Sequence, residues 1–233
     1  MKKSSLSQFK IKKDLKEFQI FLSASIPSAD RNESYYIDTN PLDITDAIVT
    51  IARSIIVRKG KIIFGGHPTI SPLILSVAKN FIPYFEKGDF PFIYIYQSKF
   101  FERKISRFTE ELLDTGIGQI IWTDAKDDPE ESLSFMRMCM IKEKRLNAAI
   151  FIGGMEGIEK EYLLFNEYYS NIPFYLLGST GGATRLIFIR DILNQEKWNF
   201  KWDYNNKSII KKLYNSKQYN YLAKIIIEDI VSR

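Results

Sequence analysis

Three apolar runs in this chain end in small residues that sit beside hydroxyl, carboxylate or imidazole groups. The first is Ile62-Ile63-Phe64-Gly65-Gly66-His67, continued by Pro68-Thr69-Ile70-Ser71-Pro72. The second is Ala149-Ile150-Phe151-Ile152-Gly153-Gly154-Met155, followed by Glu156, Glu159 and Glu161. The third is Tyr175-Leu176-Leu177-Gly178-Ser179-Thr180-Gly181-Gly182, followed by Arg185. Glycine lets a ligand approach the backbone closely, and a helix start offers free N–H groups to an anion. The chemistry this suggests is the holding of a phosphate-bearing small molecule. Candidate contacts are Gly65, Gly66, His67 and Thr69 at the first run, Gly153, Gly154 and Glu156 at the second, and Ser179, Thr180, Gly181 and Gly182 at the third. A carboxylate beside a glycine turn can accept ribose hydroxyls or act as a general base. Glutamates in a first helical turn are also what the helix dipole favours, and that explanation covers most of them.

A further apolar run leads into Ser23-Ala24-Ser25-Ile26-Pro27-Ser28 and then Asp30-Arg31. Ser23 and Ser25 are candidate ligand contacts, and Arg31 is a candidate partner for phosphate. Arg137 interrupts the apolar stretch Phe135-Met136-Arg137-Met138-Cys139-Met140, either on a solvated helix face or aimed into a pocket; the methionines read as core filler. His67 is the sole histidine and Cys139 the sole cysteine, which argues against a zinc site, and no metal or other cofactor is expected. A lone histidine is more often a hydrogen-bonded structural group than a catalyst. No P-loop, nucleophile elbow or GxGxxG fingerprint is present.

The elements that must position these groups follow from periodicity. Strands are predicted at Phe18–Ser23, Lys61–Phe64, Phe92–Tyr96, Gln119–Trp122, Ala148–Ile152 and Pro173–Leu177. Ile44, Ala47, Ile48, Ile51 and Ile55 recur at helical spacing after Asp43, a candidate N-cap. Further helices are predicted from Ser71-Pro72 to Phe81, over Arg103–Leu113, Pro129–Arg145, Gly157–Tyr169 and Ala183–Leu193, with two short helices after Asn194, the last at Tyr219–Val231. Alternation of strand and helix predicts an α/β fold, a single Rossmann-like domain whose parallel sheet has helices on both faces. In such a sheet every strand-to-helix junction lies on one edge, where ligands bind. The expected organisation is a polar arm over residues 1–17, the main domain over 18–193, and a helical C-terminal extension over 194–233 docked on that domain.

The chain has 233 residues, 45% hydrophobic and 26% charged, as one globular domain requires. Its net charge of +5 is concentrated at the ends. Residues 1–20 carry six lysines against two acids, and 195–233 carry eight basic residues against four acids, whereas 21–194 have 19 basic residues against 22 acids. A broad nucleic-acid-binding face is therefore not expected. No apolar stretch approaches the ~20 residues of a membrane span, and no apolar signal core follows the N-terminus, so a cytoplasmic protein without a membrane partner is expected.

Taken in order along the chain, Phe21-Leu22-Ser23-Ala24-Ser25, Phe64-Gly65-Gly66-His67-Pro68-Thr69, Arg137, Ile152-Gly153-Gly154-Met155-Glu156-Gly157-Ile158-Glu159-Lys160-Glu161 and Ser179-Thr180-Gly181-Gly182 resemble the SLOG superfamily. That group includes the Lonely-guy phosphoribohydrolases, the DNA-processing Smf proteins and many sensor domains. The resemblance is nearest to the bacterial branch associated with Toll/interleukin-receptor-like phage-defence systems. It implies a Rossmann-like fold, a nucleotide-derived ligand such as ADP-ribose or a cyclic form of it, and a sensing role with a homo-oligomer or an effector protein as partner. It also implies an alternative, hydrolysis of the N-glycosidic bond of a nucleoside 5′-monophosphate or NAD-like compound. Arg137 and Glu161 would then be catalytic, matching the arginine and glutamate that accompany the Lonely-guy motif Pro-Gly-Gly-x-Gly-Thr-x-x-Glu. This chain departs from that motif. Ile152 replaces the proline, Glu156-Gly157 replaces Gly-Thr, and Glu161 aligns only across one inserted residue.

Overall fold

The structure, a computed structural model, describes residues 14–142, 145–193 and 207–233. Among the described residues six strands form one sheet: β1 (Gln19–Ser25), β2 (Lys61–Gly65), β3 (Ile93–Ser98), β4 (Gly118–Thr123), β5 (Ala148–Gly153) and β6 (Phe174–Leu177). All neighbours pair in parallel, in the order β4-β3-β2-β1-β5-β6. Each predicted strand is present, displaced by one or two residues at its ends. Strand β5 is buried at all six positions, with no alternation. Such a strand must be covered on both faces, as parallel sheets are.

The helices are α1 (Glu33–Tyr36), α2 (Pro41–Ile56), α3 (Ile70–Lys79), α4 (Arg107–Leu113), α5 (Pro129–Lys142), α6 (Glu156–Tyr168), α7 (Gly182–Ile187), α8 (Lys207–Asn215) and α9 (Tyr219–Ser232). Helices α2, α3 and α4 pack side by side, with α9 against α2, while α5 and α6 form a second layer. The apolar stripe of α9, Leu222, Ile226, Ile227 and Ile230, is buried. Tyr175 of β6 ties this helix down by donating its hydroxyl to Asp229 at 2.7 Å.

Local chemistry moved several boundaries. Helix α2 starts earlier than predicted because Asn40, not Asp43, is its cap and accepts the Leu42 N–H at 2.9 Å. Ser71 lies inside α3, its hydroxyl accepting the His67 N–H at 3.0 Å. The stretch predicted as one helix over Arg103–Leu113 is a 3₁₀ segment, Lys99–Lys104, followed by α4, because Ser106 caps α4 afresh. The last helix of the main body becomes a π-helical turn at Phe188–Leu193. Leu15 is wholly buried, and its N–H donates to the Arg58 carbonyl at 2.7 Å, so the chain is anchored before β1 begins.

The strand order reverses around β1. From there the chain steps outward through β2, β3 and β4, then returns to place β5 on the other side. The carboxyl ends of β1, β2 and β5 thus frame a crevice at the switch point, the ligand position of open α/β sheets.

Candidate functional site

A cavity of about 430 Å³ opens at that crevice. Its volume lies within the range of ~300–1,000 Å³ usual for small-molecule sites. Strand β1 delivers Ser23 and Ser25 to it, the β2–α3 junction delivers Gly65, Gly66 and His67, and the α6 start delivers Glu156, Gly157, Lys160 and Glu161. Helix α5 contributes Glu130 and Arg137, and Arg31 stands at the mouth, with its side chain 66% exposed.

The floor of the cavity is an ion pair that is nearly closed to solvent. Arg137 Nε lies 3.5 Å from Glu161 Oε1, and the two side chains are 11% and 13% exposed. The Ser23 hydroxyl donates to Glu161 Oε2 at 2.5 Å. Burial pushes the Glu161 carboxyl above its usual range, against the pull of Arg137 and Ser23. Glu130 Oε1 reaches Arg137 Nη1 at 3.8 Å and also accepts a 2.5 Å hydrogen bond from Lys160. Arg137 Nε and Nη1 are nevertheless without a hydrogen-bond partner among the described residues. A buried guanidinium with idle N–H groups is costly, and a ligand oxygen would relieve that cost.

Helix α6 begins without a side-chain cap, and its first N–H groups belong to cavity-lining residues. The turn before it requires glycine: Gly154 has φ +81°, and a Cβ there would lie 1.9 Å from Ile158 Cγ1. Glu156 sits at the rim, 3.8 Å from Arg31 Nη2, and accepts from Asn32 at 3.5 Å. Glu159 turns away and accepts from the Tyr35 hydroxyl at 3.1 Å. Two of the three α6 acids thus face the cavity. The Tyr35 hydroxyl is pushed up to about 12 by burial and then by Glu159.

His67 lines the cavity with Nδ1 occupied, since it accepts the Thr69 N–H at 3.2 Å. Burial, then the positive charge of Arg31, lowers its pKa below the usual 6.5, so the ring is neutral near pH 7. The imidazole is both a structural acceptor and a cavity wall. Thr69 itself is exposed and does not line the cavity.

The third glycine-rich junction goes elsewhere. Ser179, Thr180, Gly181 and Gly182 are buried and do not line the cavity. Thr180 Oγ1 accepts the Gly153 N–H at 2.8 Å and donates to the Leu177 carbonyl at 2.6 Å. Thr184 donates to the Gly153 carbonyl at 2.8 Å, and the Ala183 N–H donates to the Gly154 carbonyl at 2.8 Å. Gly182, at φ +60°, passes so close that a Cβ would lie 2.6 Å from the Gly154 oxygen. This junction braces the second one from behind, and Gly153 and Gly154 form a turn beneath the cavity without lining it. Arg185 packs over the Tyr214 ring at 4.4 Å, not in the cavity.

Two charged cavity residues were not singled out from the sequence, Glu130 and Lys160. Glu130 is seven residues before Arg137, two helical turns away on the same face, which is a legible signal. Lys160 stands between two glutamates just past the first turn of α6, where nothing local marks it. No group of three or more His, Cys, Asp or Glu among the described residues could hold a metal ion, and no described helix is long and apolar enough to cross a membrane.

A search of curated proteins finds no match. The fold resembles the crystal structure of the structural-genomics target TM1055, with a TM-score of 0.55 at 13% identity, over 91% of this chain and 99% of that one. The model of the SLOG cluster3 family matches residues 34–212, which include α6, the glycine turns at β2, β5 and β6, and Arg137. The chain belongs to the SLOG cluster3 family.

Proposed function

We propose that this protein binds a nucleotide-derived small molecule, of the nucleoside-phosphate or ADP-ribose kind, and acts as a sensor or signalling component in bacterial anti-phage defence. The observation that carries the binding reading is Arg137, buried on the cavity floor with idle N–H groups and flanked by the uncapped start of α6. Together they favour an anion. Glu156 and Glu161 are placed to accept sugar hydroxyls, and Arg31 can swing over the mouth onto a second phosphate. The sensing role rests on the resemblance carried by the glycine turns. In that role ligand occupancy is passed to another copy of the chain or to an effector protein. A thermal melt tests the binding reading: ADP-ribose, cyclic ADP-ribose and AMP at 1,000 times their dissociation constants stabilise a single site by about 4 kcal/mol, a rise of several degrees. No shift with any adenine or ADP-ribose compound would count decisively against it.

The Arg137–Glu161 pair supports a second reading, N-glycoside hydrolysis. A carboxyl of raised proton affinity beside a guanidinium, out of bulk water, can stabilise developing positive charge at an anomeric carbon. Water would add to C1′, the glycosidic bond would break, and the base would leave with a proton, giving ribose 5-phosphate. Chromatography of free base released from nucleoside monophosphates tests this. Activity that falls by two or more orders of magnitude in Glu161→Gln supports it, and a wild type as inert as the variant excludes it.

A further inference from the structure

A second cavity, of about 240 Å³, adjoins the first at the carboxyl ends of β3 and β4. Gly66, His67, Leu133 and Met136 line both, so the two are compartments of one site. Their characters differ. The first holds the ionic groups, whereas the second is walled by Ile95, Phe101, Ile105 and Ile120. Its polar residues are mostly committed: Ser106 and Thr109 share a hydrogen bond of 2.9 Å, and Lys104 lies over the Phe101 ring at 5.1 Å. Gln97 is the exception. Its side chain is more than nine-tenths buried and lines this compartment, and its amide makes no hydrogen bond among the described residues.

The position of that amide depends on Gly66. A Cβ on Gly66 would lie 1.8 Å from Gln97 Oε1, although the Gly66 backbone is not in the left-handed region. Residue 66 is therefore small to make room for an amide, not to turn the chain. The amide stands beside Gly66, which both compartments share, offering one acceptor and two donors. The amide atoms are open to the compartment, so a ligand edge there can replace water on them.

We infer that the β3–β4 compartment receives the nucleobase of the ligand, and that Gln97 is the residue that reads the edge of that base. The inference rests on the binding reading above, in which the sugar phosphate occupies the ionic compartment. Apolar and aromatic walls suit the faces of a planar heteroaromatic ring, and an amide suits its mixed donor–acceptor edge. The ligand class is thereby narrowed to molecules in which a base projects from the sugar toward Gly66, with its glycosidic bond near His67.

Calorimetric titration with ribose 5-phosphate, AMP, GMP, CMP and UMP tests this. In the wild type, at least one nucleotide should bind tenfold or more tightly than ribose 5-phosphate, and the four bases should differ. Gln97→Leu should cut the ratio of nucleotide to ribose 5-phosphate affinity by about tenfold. Gly66→Ala, which moves the amide without deleting it, should do the same. Because the ratio is taken within each variant, binding of ribose 5-phosphate reports that the ionic compartment is intact. Gln97→Glu, which keeps the shape and removes the donors, should change the rank order of the bases. If ribose 5-phosphate binds as tightly as every nucleotide, or if all three variants keep the wild-type ratio and rank order, the inference is overturned while the binding reading stands. If neither ribose 5-phosphate nor any nucleotide binds, both are overturned.

Discussion

Arg137 and His67 show how burial sets chemistry at single residues. A buried guanidinium needs counter-charge beside it, and at Arg137 that neighbour is Glu161, whose carboxyl burial raises against the pull of Arg137 and Ser23. His67 takes the opposite course and stays neutral. Its folded pKa is depressed below the ordinary 6.5, so as pH falls past about 6.5 the unfolded chain takes up a proton that the folded chain refuses. Stability must therefore decline with acidification through that window. Replacing His67 by Asn keeps an acceptor for the Thr69 N–H and removes the titration. Melting temperatures measured from pH 7.5 to 5 should fall more steeply for the wild type than for His67→Asn, and parallel curves would contradict the assignment. Arg137 was legible as a polar interruption in an apolar helical run. Gln97 was not, because β3 is buried on both faces and its apolar neighbours give no alternation to mark one polar side chain. Nor did Gly66 reveal its purpose, since a glycine that makes room for a residue 31 positions away reads the same as one that turns the chain.

At the scale of elements, three similar junctions have two different jobs. Those after β2 and β5 shape the cavity, and the one after β6 holds the β5 junction in place. Sequence types alone cannot separate these roles. Glycines and hydroxyls serve equally well for binding a phosphate and for threading one tight turn past another, and the choice depends on which strand end neighbours which. Glu161 shows the same dependence: its partner Ser23 is 138 residues away, and only the parallel pairing of β1 with β5 brings them together. The bracing role predicts effects at residues that do not line the cavity. Thr180→Val should strand the buried Gly153 N–H and cost about 1–3 kcal/mol in urea unfolding. Gly182→Ala should push on the Gly154 carbonyl and weaken nucleotide binding at a distance from the cavity. Wild-type stability in the first variant and wild-type affinity in the second would remove the brace from the account. The short helix α1 went unpredicted because four residues carry no periodicity, yet it is capped by Asn32, which also reaches Glu156.

Across the whole molecule, the order of strands decides where chemistry takes place. Reversal at β1 creates one crevice, and the chain brings serines, two arginines, glutamates and a histidine to it from five separate elements or junctions. The fold class was readable from the alternation of apolar strands with amphipathic helices, and the edge on which the crevice opens was readable from the glycine junctions. Which junctions meet was not, because that is a property of sheet order. In the proposed function, the buried Arg137 guanidinium on the floor of this crevice takes the anionic part of a nucleotide. Calorimetry of AMP and ADP-ribose with the wild type and with Arg137→Gln, folding of both confirmed by their melts, tests it most directly. Saturable binding by the wild type that weakens at least tenfold in Arg137→Gln is the expected result, since a hydrogen bond to a charged group is worth ~1.5–3 kcal/mol. Equal affinity in the two proteins, or no binding by a folded wild type, would contradict it.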